Sequence, residues 1–154
     1  MSPILLEIPG GSVTFRHLVL DFTGTLSLDG ALLKGVAERL QVLAEDLSVT
    51  VLTADTFGTA RGQLGTLPVQ VQIIADGEEK AAAVGALDPE TVIAIGNGRN
   101  DVPMMGVAGL GIAVLGPEGA SAELLAAADV VTKDINDALD LLINPLRLKA
   151  TLRD

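Results

Sequence analysis

The stretch that decides the fold of this chain is Leu18-Val19-Leu20-Asp21-Phe22-Thr23-Gly24-Thr25-Leu26. An apolar run ends there in a carboxylate, and a Thr-Gly-Thr turn follows at once. The pattern predicts a buried β-strand with Asp21 at its carboxyl end, which is where open α/β sheets bind their ligands. Because an ionised carboxylate in a buried strand must be paired or bound to a metal, Asp21 is the candidate reactive group.

Apolar runs of strand length alternate with segments of helical periodicity along the rest of the chain. Strands are predicted at residues 4–8, 13–15, 18–21, 48–53, 69–74, 91–95, 111–115 and 129–132, and helices at 33–47, 76–87, 102–107, 121–127 and 135–142. Residues 57–67, rich in glycine and threonine, fit a short helix or an irregular loop. Since most strands are continuous apolar runs, their order predicts a three-layer, doubly wound, Rossmann-like α/β fold with a mostly parallel sheet and an amino-terminal β-hairpin.

The length of 154 residues suits a single domain, 1–154, with a full hydrophobic core. Residues 1–16 are its predicted hairpin, and residues 145–154 a partly ordered tail, because Pro145 is expected to end the last helix. No apolar run is long enough for a transmembrane helix. The amino end lacks the features of an export signal and cysteine is absent, so the cytoplasm is the expected compartment.

The charge of the chain argues against nucleic acid and membrane partners. Ten basic residues against twenty acidic ones give a net charge of −10. Such a charge repels nucleic acids and anionic membranes. Trp and Tyr, on which bases stack, are absent.

Polar residues stand at the carboxyl ends of several predicted strands. Thr53 ends one strand, Lys80 opens the helix after another, and the loop Gly96-Asn97-Gly98-Arg99-Asn100-Asp101 follows a third. In a doubly wound sheet these termini lie along one edge, so the three features converge with Asp21 on one crevice. Each feature alone is more typical of a cap, a turn or a solvated surface charge. Their common placement favours a functional site.

These residue types suit phosphoryl transfer. A carboxylate such as Asp21 can attack a phosphoryl group and form an acyl phosphate if a divalent cation offsets the negative charges. Mg²⁺ prefers oxygen ligands, which Asp21, a backbone carbonyl and Asp101 could supply. Thr53 and the amides of the Thr-Gly-Thr turn could donate to phosphate oxygens, and the Lys80 ammonium would offset their charge.

Four segments resemble, in order, the four motifs of the haloacid dehalogenase-like hydrolase superfamily. They are Asp21-Phe22-Thr23-Gly24-Thr25-Leu26, Thr53, Lys80 and Gly96-Asn97-Gly98-Arg99-Asn100-Asp101, and the match covers residues 17–142. The resemblance implies that Asp21 is the nucleophile and that Asp101 belongs to the magnesium motif. It also implies that Thr53 and Lys80 hold the phosphate.

Three sets of candidate site residues follow from these motifs. The candidate catalytic residues are Asp21, Thr23, Thr53 and Lys80. The candidate phosphate-binding residues are Phe22, Gly24, Thr25, Thr53, Ala54, Lys80 and Asn100. The candidate ligands of the implied cofactor, Mg²⁺, are Asp21, Thr23, Asn97 and Asp101.

Two positions depart from the superfamily pattern. Its phosphatases usually carry a second Asp two residues after the nucleophile, as general acid and base, and Thr23 stands there in this chain. An acidic magnesium ligand is usual at the position of Asn97, so either Asp101 takes over that role or the metal is bound more weakly. Thr23 followed by Gly-Thr-Leu is similar instead to the phosphorylation motif of P-type ATPases, as is the later Gly-x-Gly-x-Asn-Asp-x-Pro string.

The chain nevertheless does not resemble a complete ion pump. Phe22 replaces the lysine of the pump motif, and no membrane helix is predicted. The stretches 22–52 and 54–79 are too short for a nucleotide-binding or cap domain. The chain is similar to a soluble, capless, P-type-ATPase-like phosphatase of the superfamily.

The leading hypothesis is a Mg²⁺-dependent phosphohydrolase that works through an aspartyl-phosphate and dephosphorylates slowly, because Thr23 is a weak base. The alternative, which Thr23 and Asn97 favour, is a degenerate phosphate-binding or regulatory module without efficient turnover. A dinucleotide-binding domain is disfavoured, since no Gly-x-Gly-x-x-Gly follows the first strand. The expected partner is a phosphorylated small molecule or macromolecule, and neighbouring subunits of a homo-oligomer could wall an open site.

Overall fold

The computed structural model describes residues 3–8 and 10–153. Its strands are β1 (Ile4–Ile8), β2 (Gly11–Phe15), β3 (His17–Asp21), β4 (Ser27–Leu28), β5 (Ala31–Leu32), β6 (Ser48–Thr53), β7 (Gln70–Ile73), β8 (Val92–Gly96), β9 (Leu110–Val114) and β10 (Val130–Thr132). Its α-helices are α1 (Val36–Leu43), α2 (Ala60–Leu64), α3 (Gly77–Gly85), α4 (Val102–Val107), α5 (Ala122–Ala127), α6 (Ile135–Ile143) and α7 (Pro145–Leu152). Short 3-10 helices cover Pro89–Thr91 and Arg99–Asp101. Within the described residues, no helix is both long and apolar enough to cross a membrane.

The central sheet has six parallel strands in the order β10-β9-β8-β3-β6-β7. This order confirms the predicted doubly wound α/β fold. Asp21 stands opposite Leu52, one residue before Thr53, and Leu20 stands opposite Ile95. The carboxyl ends of β3, β6 and β8 therefore meet at one edge of the sheet.

The predicted amino-terminal hairpin is confirmed, because β1 and β2 pair antiparallel with Ile4 opposite Phe15. The predicted hairpin and tail regions also include residues 1, 2, 9 and 154, which lie outside the described residues. Phe15 and Leu6 are buried in the main apolar core. The hairpin is therefore attached to the layered part of the fold by side-chain packing.

Side chains alternate between the two faces of the central sheet, and each face has its own apolar core. One face carries mostly Leu, Ile and Val and packs against α1, α2, α6 and α7. The other carries smaller side chains, such as Val19 and Ala94, and packs against α3, α4 and α5. A methyl group on Gly111 would stand 2.6 Å from Met105 Sδ, so the small residues let α4 lie close to the sheet.

The segment after the Thr-Gly-Thr turn differs from the prediction. The helix predicted from Leu33 to Leu47 spans only Val36–Leu43, and a small antiparallel hairpin of β4 and β5 precedes it. The turn residues of this hairpin, Asp29 and Gly30, both have positive φ, at 52° and 86°, as a type I′ turn requires. Leu33 and Leu47 still pack against the core from beyond the helix ends, which explains why they extend its apolar stripe.

The predicted tail is also different, because it is a helix. Pro145 does not open an irregular end but occupies the first turn of α7. Proline is tolerated there because the N–H that it lacks would have no helical partner. Leu148 of α7 is fully buried, and Lys149 Nζ lies 3.5 Å from a carboxylate oxygen of Glu7 in β1. The helix therefore packs against the hairpin and the core.

The packing of α7 predicts a large difference between two substitutions in this one helix. Leu148→Ala should lower the free energy of unfolding by ~2–5 kcal/mol, because it leaves a cavity in the core. Leu146→Ala removes a side chain that is 79% exposed and should change this free energy by less than ~0.5 kcal/mol. Urea unfolding followed by circular dichroism measures both. Equally small effects would show that α7 does not pack against the core.

Candidate functional site

A pocket of about 200 Å³ opens at the carboxyl edge of the central sheet. It is lined by the last residues of β3 and β6 and by residues from the segments after β3, β6, β8 and β9, namely Asp21, Thr23, Thr53, Ala54, Thr56, Asn97, Gly98, Asn100 and Glu118. The connections 22–47 and 54–69 hold only the β4–β5 hairpin, α1 and α2. Neither of these fully described connections contains a cap domain, so the pocket faces solvent.

Lys80 lies behind this pocket, between two carboxylates. Its Nζ is 2.9 Å from Asp21 Oδ1 and 2.6 Å from Asp101 Oδ1. Lys80 is 1% exposed and Asp101 is fully buried, so water screens these charge-assisted hydrogen bonds little. The ammonium group therefore fixes the orientation of both carboxylates.

The start of α3 brings Lys80 to this position. Asp76 caps the helix, and its carboxylate accepts a hydrogen bond from the Glu79 amide at 2.9 Å. A methyl group on Gly77 would stand 2.4 Å from the carbonyl oxygen of Asn100. Glycine at this position thus lets the first turn of α3 lie against the loop after β8. This places Lys80 within hydrogen-bond distance of the Asp101 carboxylate.

Burial and charge shift the pKa values of this cluster. Burial and the neighbouring Asp101 charge raise the pKa of Asp21 from 3.8 to about 7, although Lys80 and a backbone hydrogen bond from Phe22 act in the opposite direction. Burial lowers the pKa of Lys80, but Asp21 and Asp101 raise it more, so the pKa lies above its ordinary value. Near neutral pH Lys80 therefore carries its positive charge, while Asp21 is present in both its protonated and its ionised form.

Asp101 holds the loop after β8 in place. Its Oδ2 accepts hydrogen bonds from the backbone amides of Asn97 and Gly98, both at 3.1 Å, while Oδ1 accepts from Lys80. A methyl group on Gly96 would stand 2.4 Å from Asp101 Oδ2, so glycine leaves room for the carboxylate. Both oxygens are engaged and buried, so in this arrangement Asp101 positions Lys80 and the loop. Its role as a magnesium ligand stays a prediction.

Asp21 and Asn97 direct oxygens toward one hydroxyl group. Thr25 Oγ1 lies 3.3 Å from Asp21 Oδ2 and 3.1 Å from Asn97 Oδ1. A hydroxyl group has one proton and donates to only one of these oxygens at a time. The other oxygen is then left available for a cation.

The donor set near Asp21 fits Mg²⁺. With Asp21 ionised, the two carboxylates and Lys80 carry one net negative charge, and the groups facing the pocket are oxygens, which this cation prefers. In the described part of the chain, no group of three or more His, Cys, Asp or Glu side chains could hold a metal ion. Asp21 and at most one further carboxylate would therefore bind the cation together with water and neutral oxygens such as Asn97 Oδ1.

Thr53 presents a hydroxyl group to the pocket. Its Oγ1 accepts a hydrogen bond from the Asp55 amide at 2.9 Å, which leaves the hydroxyl proton for a ligand. Ala54 and Asn100, which were also predicted to contact phosphate, line the same pocket. The structure thus brings these predicted residues together around Asp21.

Phe22, Gly24 and Thr25, which were also predicted to contact phosphate, lie in the turn that follows β3. The Gly24 amide donates to the Ser27 carbonyl oxygen at 3.0 Å, and the Thr25 amide donates to the Phe22 carbonyl oxygen at 3.2 Å. The Phe22 side chain is buried in the apolar core. The turn therefore engages the amides of Gly24 and Thr25, whereas the Phe22 amide donates to the Asp21 carboxylate. The three phosphate contacts stay predictions.

Three lining residues were missing from the predicted set, namely Thr56, Gly98 and Glu118. Glu118 matters most, because it adds a carboxylate from the loop between β9 and α5. The sequence contains a signal for it, since the turn Gly116-Pro117-Glu118-Gly119 directly follows a predicted strand. Every parallel strand delivers its following loop to the same edge of the sheet.

The raised pKa of Asp21 predicts a pH-dependent cost in stability. Between its ordinary pKa and about 7 the folded chain keeps a proton on Asp21 that the unfolded chain releases, so the contribution of Asp21 to stability falls as the pH rises. Asp21→Asn removes this effect. The stability of the variant relative to the original chain should rise by up to ~4 kcal/mol between pH 4 and pH 8. Urea unfolding in EDTA at both pH values measures it, and a pH-independent difference would contradict the raised pKa.

Sequence comparisons relate this chain to a known family. The family model of haloacid dehalogenase-like hydrolases matches residues 64–139, which include Lys80 and the loop after β8. An uncharacterized protein of Methanocaldococcus jannaschii is 49% identical over 85 residues, covering 51% of this chain and 91% of that protein.

Solved structures share the fold. The 3-deoxy-D-manno-octulosonate 8-phosphate phosphatase of Moraxella catarrhalis, in complex with a magnesium ion, a phosphate ion and KDO, superposes with a TM-score of 0.73 at 18% identity over 88% of this chain and 90% of that chain. A zinc-transporting PIB-type ATPase gives a TM-score of 0.63 at 26% identity, over 77% of this chain but 20% of that chain. The sheet order, the ordered motifs at its carboxyl edge and the family match agree that the chain belongs to the haloacid dehalogenase-like hydrolases.

Proposed function

We propose that this chain is a Mg²⁺-dependent phosphohydrolase in which the Asp21 carboxylate is the nucleophile. The observation that carries the proposal is the contact of Lys80 Nζ with Asp21 at 2.9 Å and with Asp101 at 2.6 Å, directly behind an open pocket. A carboxylate held by a buried ammonium has a fixed direction of attack, and the same ammonium offsets part of the charge of an incoming phosphate.

The reaction has two steps at Asp21. A carboxylate oxygen attacks the phosphorus of a phosphoester, the bond from phosphorus to the ester oxygen breaks, and the leaving group takes a proton from solvent. Water then attacks the phosphorus of the aspartyl-phosphate, so the acyl–phosphate bond breaks and phosphate and the free carboxylate are released. Thr23 provides no carboxylate that could remove a proton from this water, and dephosphorylation is therefore the slow step.

Other residues around the pocket hold the phosphoryl group and the cation. The Thr53 hydroxyl and the Asn100 side chain donate to phosphate oxygens, and the Lys80 ammonium behind the pocket offsets part of their charge. The Asp21 carboxylate, the Thr23 carbonyl and Asn97 Oδ1 would hold Mg²⁺. When bound, the cation offsets the charge that accumulates on the phosphoryl oxygens.

The open pocket favours a substrate whose phosphoryl group enters while the rest stays outside. A volume of about 200 Å³ suits a phosphate group and little more, and no cap domain in the connections 22–47 and 54–69 adds walls. The substrate class is a phosphomonoester on a small molecule or a macromolecule. A second copy of the chain could supply the missing walls.

A regulatory module is the second candidate, and the neutral residues Thr23 and Asn97 favour it. In that case Asp21 binds or accepts a phosphoryl group without efficient turnover. The two candidates differ in the fate of the phosphorylated state, because an enzyme releases phosphate repeatedly and a module retains it.

The first test is hydrolysis of para-nitrophenyl phosphate with and without Mg²⁺. We expect turnover to require the cation and Asp21→Asn to reduce it by ~10³-fold or more, because the amide is a poor nucleophile. Asp88→Asn is the matched control, since Asp88 precedes β8 and lies at the opposite edge of the sheet. Substantial metal-dependent turnover by folded Asp21→Asn would rule out Asp21 as nucleophile. A phosphorylated protein without turnover would favour the regulatory module.

The second test is the lifetime of the aspartyl-phosphate in single-turnover experiments. Thr23→Asp should shorten it by ~10²–10⁴-fold, because a positioned carboxylate can act as the general base. Thr66→Asp is the control, because it adds the same charge at an exposed turn away from the pocket. Equal lifetimes in the original chain and Thr23→Asp would show that another group already serves as the base.

A further inference from the structure

One carboxylate of the pocket has no role in the proposed chemistry. The lining residues include two acidic side chains, Asp21 and Glu118, while Asp101 is engaged behind the pocket. Asn97 contributes an amide oxygen at a position where a charged ligand would bind a divalent cation more strongly. Glu118 belongs to the loop 115–121, between β9 and α5.

The loop that carries Glu118 is anchored to Asn97. The Ser121 amide donates to the Asn97 carbonyl oxygen at 2.9 Å, and Asn97 Nδ2 donates to the Gly119 carbonyl oxygen at 3.1 Å. The side chain of an aspartate at position 97 would have no N–H group to donate to the Gly119 carbonyl oxygen. Asn97, the uncharged residue at this position, is therefore also the residue that holds the loop that carries Glu118.

The Glu118 carboxylate lies against the Thr-Gly-Thr turn. A methyl group on Gly24 would stand 3.1 Å from Glu118 Oε1 and 2.6 Å from Asn97 Nδ2. The carboxylate and the Asn97 amide group thus flank one point beside Thr23. Within the described residues, no hydrogen bond or ion pair engages the Glu118 side chain, so its oxygens are available.

We propose that Glu118 is the acidic ligand that position 97 lacks, and that it binds the divalent cation together with Asp21. This inference rests on the proposed function. Two carboxylates would then balance the charge of the cation, and the neutral oxygens of Asn97 and Thr23 would complete the protein ligands. The acidic ligand would thus lie in the loop after β9 instead of the loop after β8. The Asn97–Gly119 hydrogen bond links the two loops.

The test is a titration of the whole chain with Mn²⁺ alone, in which electron paramagnetic resonance measures the free ion. Glu118→Gln should raise the Kd by ~10-fold or more, because a neutral oxygen replaces a charged one. Glu123→Gln is the matched control, since it removes the same charge from an exposed side chain that lies 3.2 Å from Arg99. It should leave the Kd within ~2-fold, because salt and water screen exposed charges. Thermal unfolding checks that both variants are folded.

The outcomes separate this inference from the proposed function. An unchanged Kd in Glu118→Gln, or an equal loss in both variants, would overturn the role of Glu118 even if the original chain hydrolyses para-nitrophenyl phosphate. A loss of Mn²⁺ binding confined to Glu118→Gln would support the ligand. That result would stand even in a chain without phosphatase activity, in which case the proposed function alone fails.

Discussion

A buried ammonium group is tolerated only where carboxylates replace the water that it has lost. Lys80 meets this condition with Asp21 at 2.9 Å and Asp101 at 2.6 Å. The three side chains come from α3, from the end of β3 and from the loop after β8. They meet only if the strands pair in the observed order and if α3 approaches that loop as closely as Gly77 allows. The layered fold and the site are therefore products of the same constraint.

The number of negative charges that can lie close to Asp21 is limited at this site. Two carboxylates share one ammonium, and burial raises the pKa of Asp21 to about 7. Further carboxylates at positions 23 and 97 would add repulsion around Asp21. Thr23 and Asn97 avoid that repulsion. In the proposed mechanism the same two neutral residues weaken cation binding and base catalysis, so that ionisation of Asp21 is balanced against the acids that phosphoryl transfer normally uses.

Much of this arrangement could be predicted from the sequence, for identifiable reasons. Continuous apolar strands have a strong signal, and parallel pairing then delivers Asp21, Thr53 and the loop after β8 to one edge. Hydrogen bonds within a turn have no such signal, so the engaged amides of Gly24 and Thr25 could not be foreseen. The loop of Glu118 could be placed at this edge because it follows a predicted strand, but only tertiary contacts show which residue of that loop reaches the pocket. The α7 helix was missed because proline is compatible with both a helix start and a helix end.

The unequal size of the two apolar clusters has a consequence for motion. The layer under α3, α4 and α5 is the smaller one and is built from smaller side chains. Local opening of a structure follows its weakest packing, so partial unfolding should begin on this face more readily than under α1 and α6. An opening that moves α3 away from the loop after β8 would separate Lys80 from Asp101. Any ligand that engages Lys80 or the loop after β8 would then slow amide exchange across this face, far beyond the residues it touches.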